Sequence, residues 1–564
     1  MRLSYIEIEN FKGIGSRQII EIKPITLLFG PNSAGKSTIL QALHYLREIL
    51  ERRNIDPDLT IAGGLIDLGG FTTLVHNHEV DLPVRLKVTL DLSEEQGVEA
   101  LPLNSGLRVG ESEFEELQVR YLLGESAEHK DYAIVQQVLL DIEVRWSELE
   151  RSPYVSRFGV GLDDEPIAAI VSPPQEGRAQ LTDFNFAHPL LRRIVDADER
   201  QNESSDVTVP SSPLEDEVWS LAREVALDRS TTGTPDDQFR IAVATAKGAL
   251  PDLDKDLALD LRDPDVKKVE LEQQTPRVIG LRRLLSEIIL GSARLVRDHL
   301  SAMTYIGPLR EIPSRSYRPQ VSPDEARWAS GLAAWDLLYS MRNRDLMEEV
   351  NSWLSDEYRL HAGYRLERVD FKEIPVPSLF HQMLERGLNE DDMGELQDLY
   401  STVQTRTEIA LRDFDKGILV APSDVGVGIS QLVPVVVSAL RPQDGLLVIE
   451  QPELHVHPSI QVGIGDLLIR AVRIDADIPH SGKTVFIETH SEHIMLRLLR
   501  RIRETTEEAL PPGVAGLKPE DLSVIYVEGS DDGVRFRPLG IDQTGEFRDR
   551  WPHGFFDERG EELF

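Results

Sequence analysis

At 564 residues, with 41% hydrophobic and 28% charged residues, the chain has the composition of a folded protein with several packed regions. The absence of cysteine excludes disulfides, thiolate zinc sites and cysteine catalysis, and no apolar run reaches the about 18 residues a membrane span needs. A net charge of −36 repels a phosphate backbone on average, so nucleic acid as a partner would require a local basic patch.

Residues 3–9 alternate apolar and polar positions and predict a strand, with no signal-peptide profile ahead of it; a cytoplasmic location is expected. A second strand is predicted at 18–22 and a buried apolar one at 25–29. Next come Gly30-Pro31-Asn32-Ser33-Ala34-Gly35-Lys36-Ser37 and Thr38, then a helical pattern over 37–53. This is a phosphate-binding loop in its required setting between strand and helix. Its glycines let backbone N–H groups face phosphate oxygens, Lys36 supplies a cation to them, Ser37 offers a hydroxyl to Mg²⁺, and the helix N-terminus favours the anion. ATP and Mg²⁺ are the expected cofactors.

Residues 83–172 predict strands at 84–92, 117–123, 134–144 and 154–160, and the Ser/Pro/Asp-rich stretch 201–216 a surface loop. Helical patterns dominate 218–303, notably 281–303, and again about 326–414. No heptads persist, so a long coiled coil is not expected. Apolar strands return at 446–449, 484–487 and 524–527. The first ends in Glu450, a carboxylate suited to the Mg²⁺ water shell, followed by Gln451-Pro452-Glu453-Leu454-His455-Val456-His457-Pro458. The second leads into Glu488-Thr489-His490-Ser491, and upstream Asp424-Val425-Gly426-Val427-Gly428-Ile429-Ser430-Gln431 opens another helix.

The order and spacing of these blocks resemble the ABC-type ATPases of the SMC/RecF group, and especially the overcoming-lysogenisation-defect-like ATPases of bacterial anti-phage systems, in a standalone form without a Toprim domain. Asn10-Phe11-Lys12-Gly13-Ile14, Tyr305-Ile306-Gly307-Pro308-Leu309-Arg310 and Trp551-Pro552-His553-Gly554-Phe555-Phe556-Asp557-Glu558 share the resemblance. It implies an α/β ABC-type P-loop ATPase head assembled from both chain ends: 1–80 with the P-loop and 416–564 with signature, metal acid and switch histidine. Between them a β-rich lobe at 81–180, a helical insertion at 181–303 and a helical connecting region at 304–415 are expected. Gly30, Asn32, Ser33, Gly35, Lys36, Ser37 and Thr38 would hold phosphates, Ser37 and Glu450 the metal, and His490 would sit near the γ-phosphate. Gly426, Gly428, Ser430 and Gln431 would cap ATP held by another subunit. One P-loop and one signature per chain imply a homodimer or higher oligomer. The function implied is a sensor or scaffold subunit of a defence system that controls an effector nuclease or toxin. A DNA-repair or chromosome-maintenance ATPase and an ATP-regulated nuclease are the alternatives.

The pattern departs at Gln451, where relatives carry the acid that polarises water. An amide cannot accept a proton, and losing such help costs roughly 10²–10⁴-fold. Either Glu453 takes over and hydrolysis is slow, or ATP acts as a bound ligand. Val527-Glu528-Gly529-Ser530-Asp531-Asp532 resembles the opening of a Toprim nuclease domain, but the remaining chain is too short for its further acidic pairs, so a strand end is expected. His455 and His457 are expected to be loop residues rather than a metal pair. His76 and His78 lie where relatives sense the γ-phosphate, and Lys12 and Arg17 either flank the base or are surface charge. Arg310, Arg315 and Arg318 form the best candidate anion patch, whereas Arg497, Arg500, Arg501 and Arg503 are expected on a solvated helix face.

Overall fold

The computed structural model describes residues 1–56, 67–92, 135–173, 178–185, 188, 241–257, 285–315, 317–376, 378–389, 392–473, 482–530 and 533–552. The expected strand at 117–123, the loop at 201–216 and most of the helical stretch 218–284 lie outside these residues.

Strands β1 (Arg2–Glu9), β2 (Gln18–Glu21) and β3 (Ile25–Phe29) open the chain and divide between two sheets. β1 and β2 join β4 (Val84–Asp91), β5 (Gln137–Ser147), β6 (Ser152–Leu162), β7 (Glu165–Val171), β8 (Gln180–Thr182) and β9 (Ile241–Ala242) in an eight-stranded antiparallel sheet, ordered β2-β1-β4-β5-β6-β7-β8-β9. β3 instead lies inside a second, six-stranded sheet. Its neighbours there are β10 (Thr304–Ile306), β14 (Gly445–Glu450), β15 (Lys483–Glu488), β16 (Leu522–Ser530) and β17 (Gly533–Leu539), in the order β10-β14-β15-β3-β16-β17. All its pairings are parallel except β16 with β17. The strands that carry the loop motifs thus come from both ends of the chain, in a mixed α/β fold.

The parallel strands read as continuous apolar runs because both of their faces are covered. Leu28, Leu446, Val448, Phe486, Ile525 and Val527 point into a core shared with the antiparallel sheet and the P-loop helix Thr38–Arg52. Their alternates Ile25, Leu27, Phe29, Leu447, Ile449, Val485 and Ile487 point into a second core. That core is closed by helices Leu332–Tyr339, Arg344–Ser355, Val427–Leu440, Pro458–Val472 and Glu492–Thr506. Burying each such side chain contributes about 1.5–3 kcal/mol, so the sheet is the rigid floor on which the loops stand.

The helical pattern expected over 326–414 is interrupted. β11 (Tyr364–Lys372) and β12 (Thr405–Asp413) pair antiparallel, with β13 (Leu419–Val420) beside β12. In β11 the apolar positions change phase, from Tyr364 and Leu366 to Val369 and Phe371, so no simple alternation marks the strand. Helices Leu379–Arg386 and Met393–Thr402 lie between β11 and β12. Among the described residues no helix is long and apolar enough to cross a membrane.

Candidate nucleotide site

Because β3, β14 and β15 are parallel, their C-terminal ends share one edge of the sheet, the usual place for ligands in open α/β sheets. The P-loop leaves β3 with Gly30 at φ 151°, Ser33 at 62° and Gly35 at 93°, and the Thr38 N–H donates to the Gly35 carbonyl at 3.1 Å. Only glycine suits position 35: beyond its left-handed φ, a Cβ there would sit 2.7 Å from a methyl of Val534. The β16–β17 hairpin therefore braces the loop from the C-terminal end of the chain.

Lys36 is buried, and its Nζ donates to the carbonyls of Gly30 (3.0 Å) and Pro31 (2.9 Å). Burial pushes its pKa down, while Glu488, Glu453 and Glu450 oppose that shift. The Ser37 hydroxyl donates to Glu488 Oε2 at 2.7 Å, and Glu488 Oε1 lies 3.8 Å from Lys36 Nζ. Glu450 sits directly opposite Glu488 in the β14–β15 register and accepts a hydrogen bond from the Tyr305 hydroxyl at 2.8 Å. Burial first, and then Glu488, push the Glu450 carboxyl up to about 7. Tyr305 in turn packs edge-on against His44 of the P-loop helix, with ring centroids 5.2 Å apart.

Arg310 fixes the other side of this edge. Its Nη2 donates to the carbonyls of Glu450 (2.6 Å) and Gln451 (3.0 Å), so this arginine serves the strand end rather than an open anion patch. Its Nε and Nη1 are buried with no protein partner, and burial lowers its pKa to about 10. Gln451 takes a left-handed φ of 45°, held by its N–H donating to the Glu488 carbonyl at 2.7 Å and by Arg310. Both oxygens of Glu453 are engaged: Oε2 accepts from Thr489 Oγ1 (2.8 Å) and Oε1 from the His490 N–H (2.7 Å). Glu453 thereby ties the loop after β14 to the loop after β15. His490 Nε2 is buried without a protein partner, and burial followed by Lys36 lowers its pKa.

The signature segment opens helix Val427–Leu440. Ser430 is fully buried with its hydroxyl donating to the Pro422 carbonyl at 2.7 Å, and Gln431 is buried as well. Within the single chain both lie on the inward face of helix Val427–Leu440. The surface is instead formed by Ser423, Asp424, Gly426 and Val427, with Arg315 paired to Asp424 at 2.7 Å. Gly428 is required for another reason: a Cβ would come 2.2 Å from the His455 carbonyl, so the signature helix abuts the loop after Glu450.

The remaining candidates have local roles. His457 Nδ1 accepts from the Ser459 N–H at the start of helix Pro458–Val472. His76 Nδ1 lies 2.8 Å from the Lys12 carbonyl, and Arg17 pairs with Glu7 on the antiparallel sheet. Arg497 and Arg501 are not solvated; both pair with Asp466 of helix Pro458–Val472, and Arg501 is buried. Sequence inspection passed over Glu488 and Tyr305 as site residues. Glu488 stands at the end of an apolar strand just as Glu450 does, and that shared pattern was the available signal.

Residues 1–133 match a family model described as an AAA ATPase domain, and residues 315–496 match one described as an AAA domain, putative AbiEii toxin, type IV TA system. A 45-residue segment is 44% identical to the DNA replication and repair protein RecF of Chlorobium luteolum, covering 8% of this chain and 12% of RecF. Similar solved structures include an SMC head bound to the C-winged helix domain of ScpA, with TM-score 0.36, 10% identity and coverage of 96% of this chain and 98% of that one. The SMC head domain from Thermotoga maritima gives TM-score 0.34 and 10% identity over 96% of this chain and 100% of that chain. An SMC head with extended coiled coil and bound ScpA C-terminal domain, derived from Pyrococcus furiosus, gives 0.34 and 11% over 96% of each. Two separate stretches of the chain therefore resemble AAA-type ATPase domains, and the P-loop lies in the first of them.

Proposed function

We propose that the chain is an ABC-type ATPase that binds ATP with Mg²⁺, turns it over slowly, and uses the nucleotide-bound dimer as a sensor or scaffold in anti-phage defence, controlling an effector nuclease or toxin. The observation that carries the nucleotide part is the meeting of Lys36 and Ser37 with Glu488 at the end of parallel strands. The donor set fits the cofactor: a hydroxyl and two carboxylates are hard oxygen ligands suited to Mg²⁺, and Lys36 rests on carbonyls that phosphate oxygens can replace. Bound Mg²⁺ would neutralise charge on the phosphates. Lys36 and the left-handed loop orient them, Glu453 holds His490 in place, and Gln451 orients a water without accepting its proton. The signature surface at Ser423, Gly426 and Val427 would complete the site of a second copy.

The defence role is supported by the resemblance of the motif set and by the match of residues 315–496 to a family described as a putative AbiEii toxin of a type IV TA system. The RecF segment favours a second reading, a DNA-repair ATPase, against which the net charge of −36 counts. Binding of a fluorescent ATP analogue tests the first reading: wild type should bind, and Lys36→Ala should lose affinity at least about 100-fold. Equal binding by both would refute the nucleotide site. Tight ATP-dependent binding to DNA at physiological salt would move the function to repair.

A further inference from the structure

Resting on the nucleotide reading, we propose that Glu488, and not Glu450, is the carboxylate that binds the metal beside Ser37. The sheet order places β15 between β14 and β3, so Glu488 stands one strand closer to the P-loop than Glu450, a spacing of about 4.8 Å. The side chains follow that order. Glu488 reaches both the Ser37 hydroxyl at 2.7 Å and Lys36 at 3.8 Å, whereas the contact made by Glu450 is with Tyr305. Adjacent ligands on an octahedral Mg²⁺ at 2.0–2.1 Å lie about 2.9 Å apart, so the Ser37–Glu488 oxygen pair already has nearly the spacing of one coordination edge.

Glu450 is held in a different way. Tyr305 donates to its Oε1, Arg310 clamps its carbonyl, and His44 packs on the Tyr305 ring. A carboxylate fixed by a phenol from β10 is built to stand behind the metal and orient its waters. Glu488 lacks such a tether and faces the loop that carries the hydroxyl ligand. The division of labour assigns metal contact to the strand that leads into His490, so metal binding and the position of the switch histidine share one strand end.

The test compares full-length wild type, Glu488→Gln, Glu488→Asp and Glu450→Gln by Mn²⁺ titration, followed by electron paramagnetic resonance with a non-hydrolysable ATP analogue. Metal-free nucleotide affinity is measured alongside as a report on the folded P-loop. Glu488→Gln should weaken Mn²⁺ binding at least about 10-fold more than Glu450→Gln does, with metal-free nucleotide affinity kept, and Glu488→Asp should weaken it less than Glu488→Gln. Loss in Glu450→Gln with wild-type metal affinity in Glu488→Gln would overturn the assignment, as would equal loss in both. A wild-type chain that binds no nucleotide at all overturns the nucleotide reading itself, and the assignment with it.

Discussion

The P-loop side and the signature side of this chain are finished to different degrees. On the P-loop side three groups expected to meet phosphate or metal have internal counterparts: Lys36 rests on the Gly30 and Pro31 carbonyls, Ser37 on Glu488, and Glu450 on Tyr305. On the signature side, Ser430 and Gln431 are turned inward, Gly426 and Val427 at the helix start are exposed, and Gly428 and Ile429 are half-buried. The first half is a polar cluster that a ligand must rearrange; the second is an exposed edge of Ser423, Gly426 and Val427 with the Asp424–Arg315 ion pair beside it. A site divided in this way favours nucleotide binding before any partner is engaged.

The sharpest way to break the contrast lies at Gln451, between the two halves. Its backbone is fixed by Arg310 and Glu488, so Gln451→Glu should keep the loop and supply the missing carboxylate. A single-turnover ATPase assay should then show a gain of roughly 10²–10⁴-fold over wild type. An unchanged rate would mean that water activation is not what limits this site.

On the P-loop side His44 makes the chain sensitive to acid. His44, buried in the P-loop helix against Tyr305, has its pKa lowered from 6.5 to about 3 by burial and then by Arg47. Below pH 6.5 the unfolded chain takes up a proton that the folded chain refuses until about pH 3, so stability falls as pH drops through that window. His299, lowered to about 4 by burial, adds to the same limb. His44→Leu should remove its own share, roughly 3 kcal/mol at pH 4, and leave the neutral-pH melt nearly unchanged. Denaturant melts of both proteins at pH 7 and pH 4 measure it, and parallel acid limbs would refute the role of His44.

The exposed half is probed by Val427→Glu. A carboxylate there would face the phosphates of a second copy, so ATP-dependent dimerisation by analytical ultracentrifugation should weaken at least about 10-fold. Nucleotide affinity of the single chain should stay within about 3-fold of wild type. A variant that dimerises normally would remove this surface from the composite site.

The P-loop was legible because local chemistry fixes it: strand, loop and helix are contiguous, and Gly35 and Lys36 have few alternatives at their positions. Glu450 was legible as an acid at the end of an apolar strand, yet its partner Tyr305 lies 145 residues away and no local pattern joins them. Glu488 was hidden by its neighbour, since His490 drew attention to the loop and away from the strand end. In the signature segment the sequence does not show which residues face outward in the single chain. That depends on where the helix starts, and Gly428 against His455 sets it through a tertiary contact. β11 escaped notice because its apolar residues shift phase midway.

Ser430→Ala should have the smallest effect and decides the orientation of the signature. The hydroxyl is buried and donates to the Pro422 carbonyl at 2.7 Å, tying the signature helix to the turn before it. Alanine removes that bond and leaves a buried carbonyl short of a donor, a loss of about 1–2 kcal/mol in stability. Because Ser430 faces inward, ATP-dependent dimerisation should remain near wild type once temperature is set below the lowered melt. A signature serine that touched the partner's nucleotide would show the opposite pattern, with unchanged stability and lost dimerisation. Thermal melts and sedimentation on the same two proteins separate those outcomes.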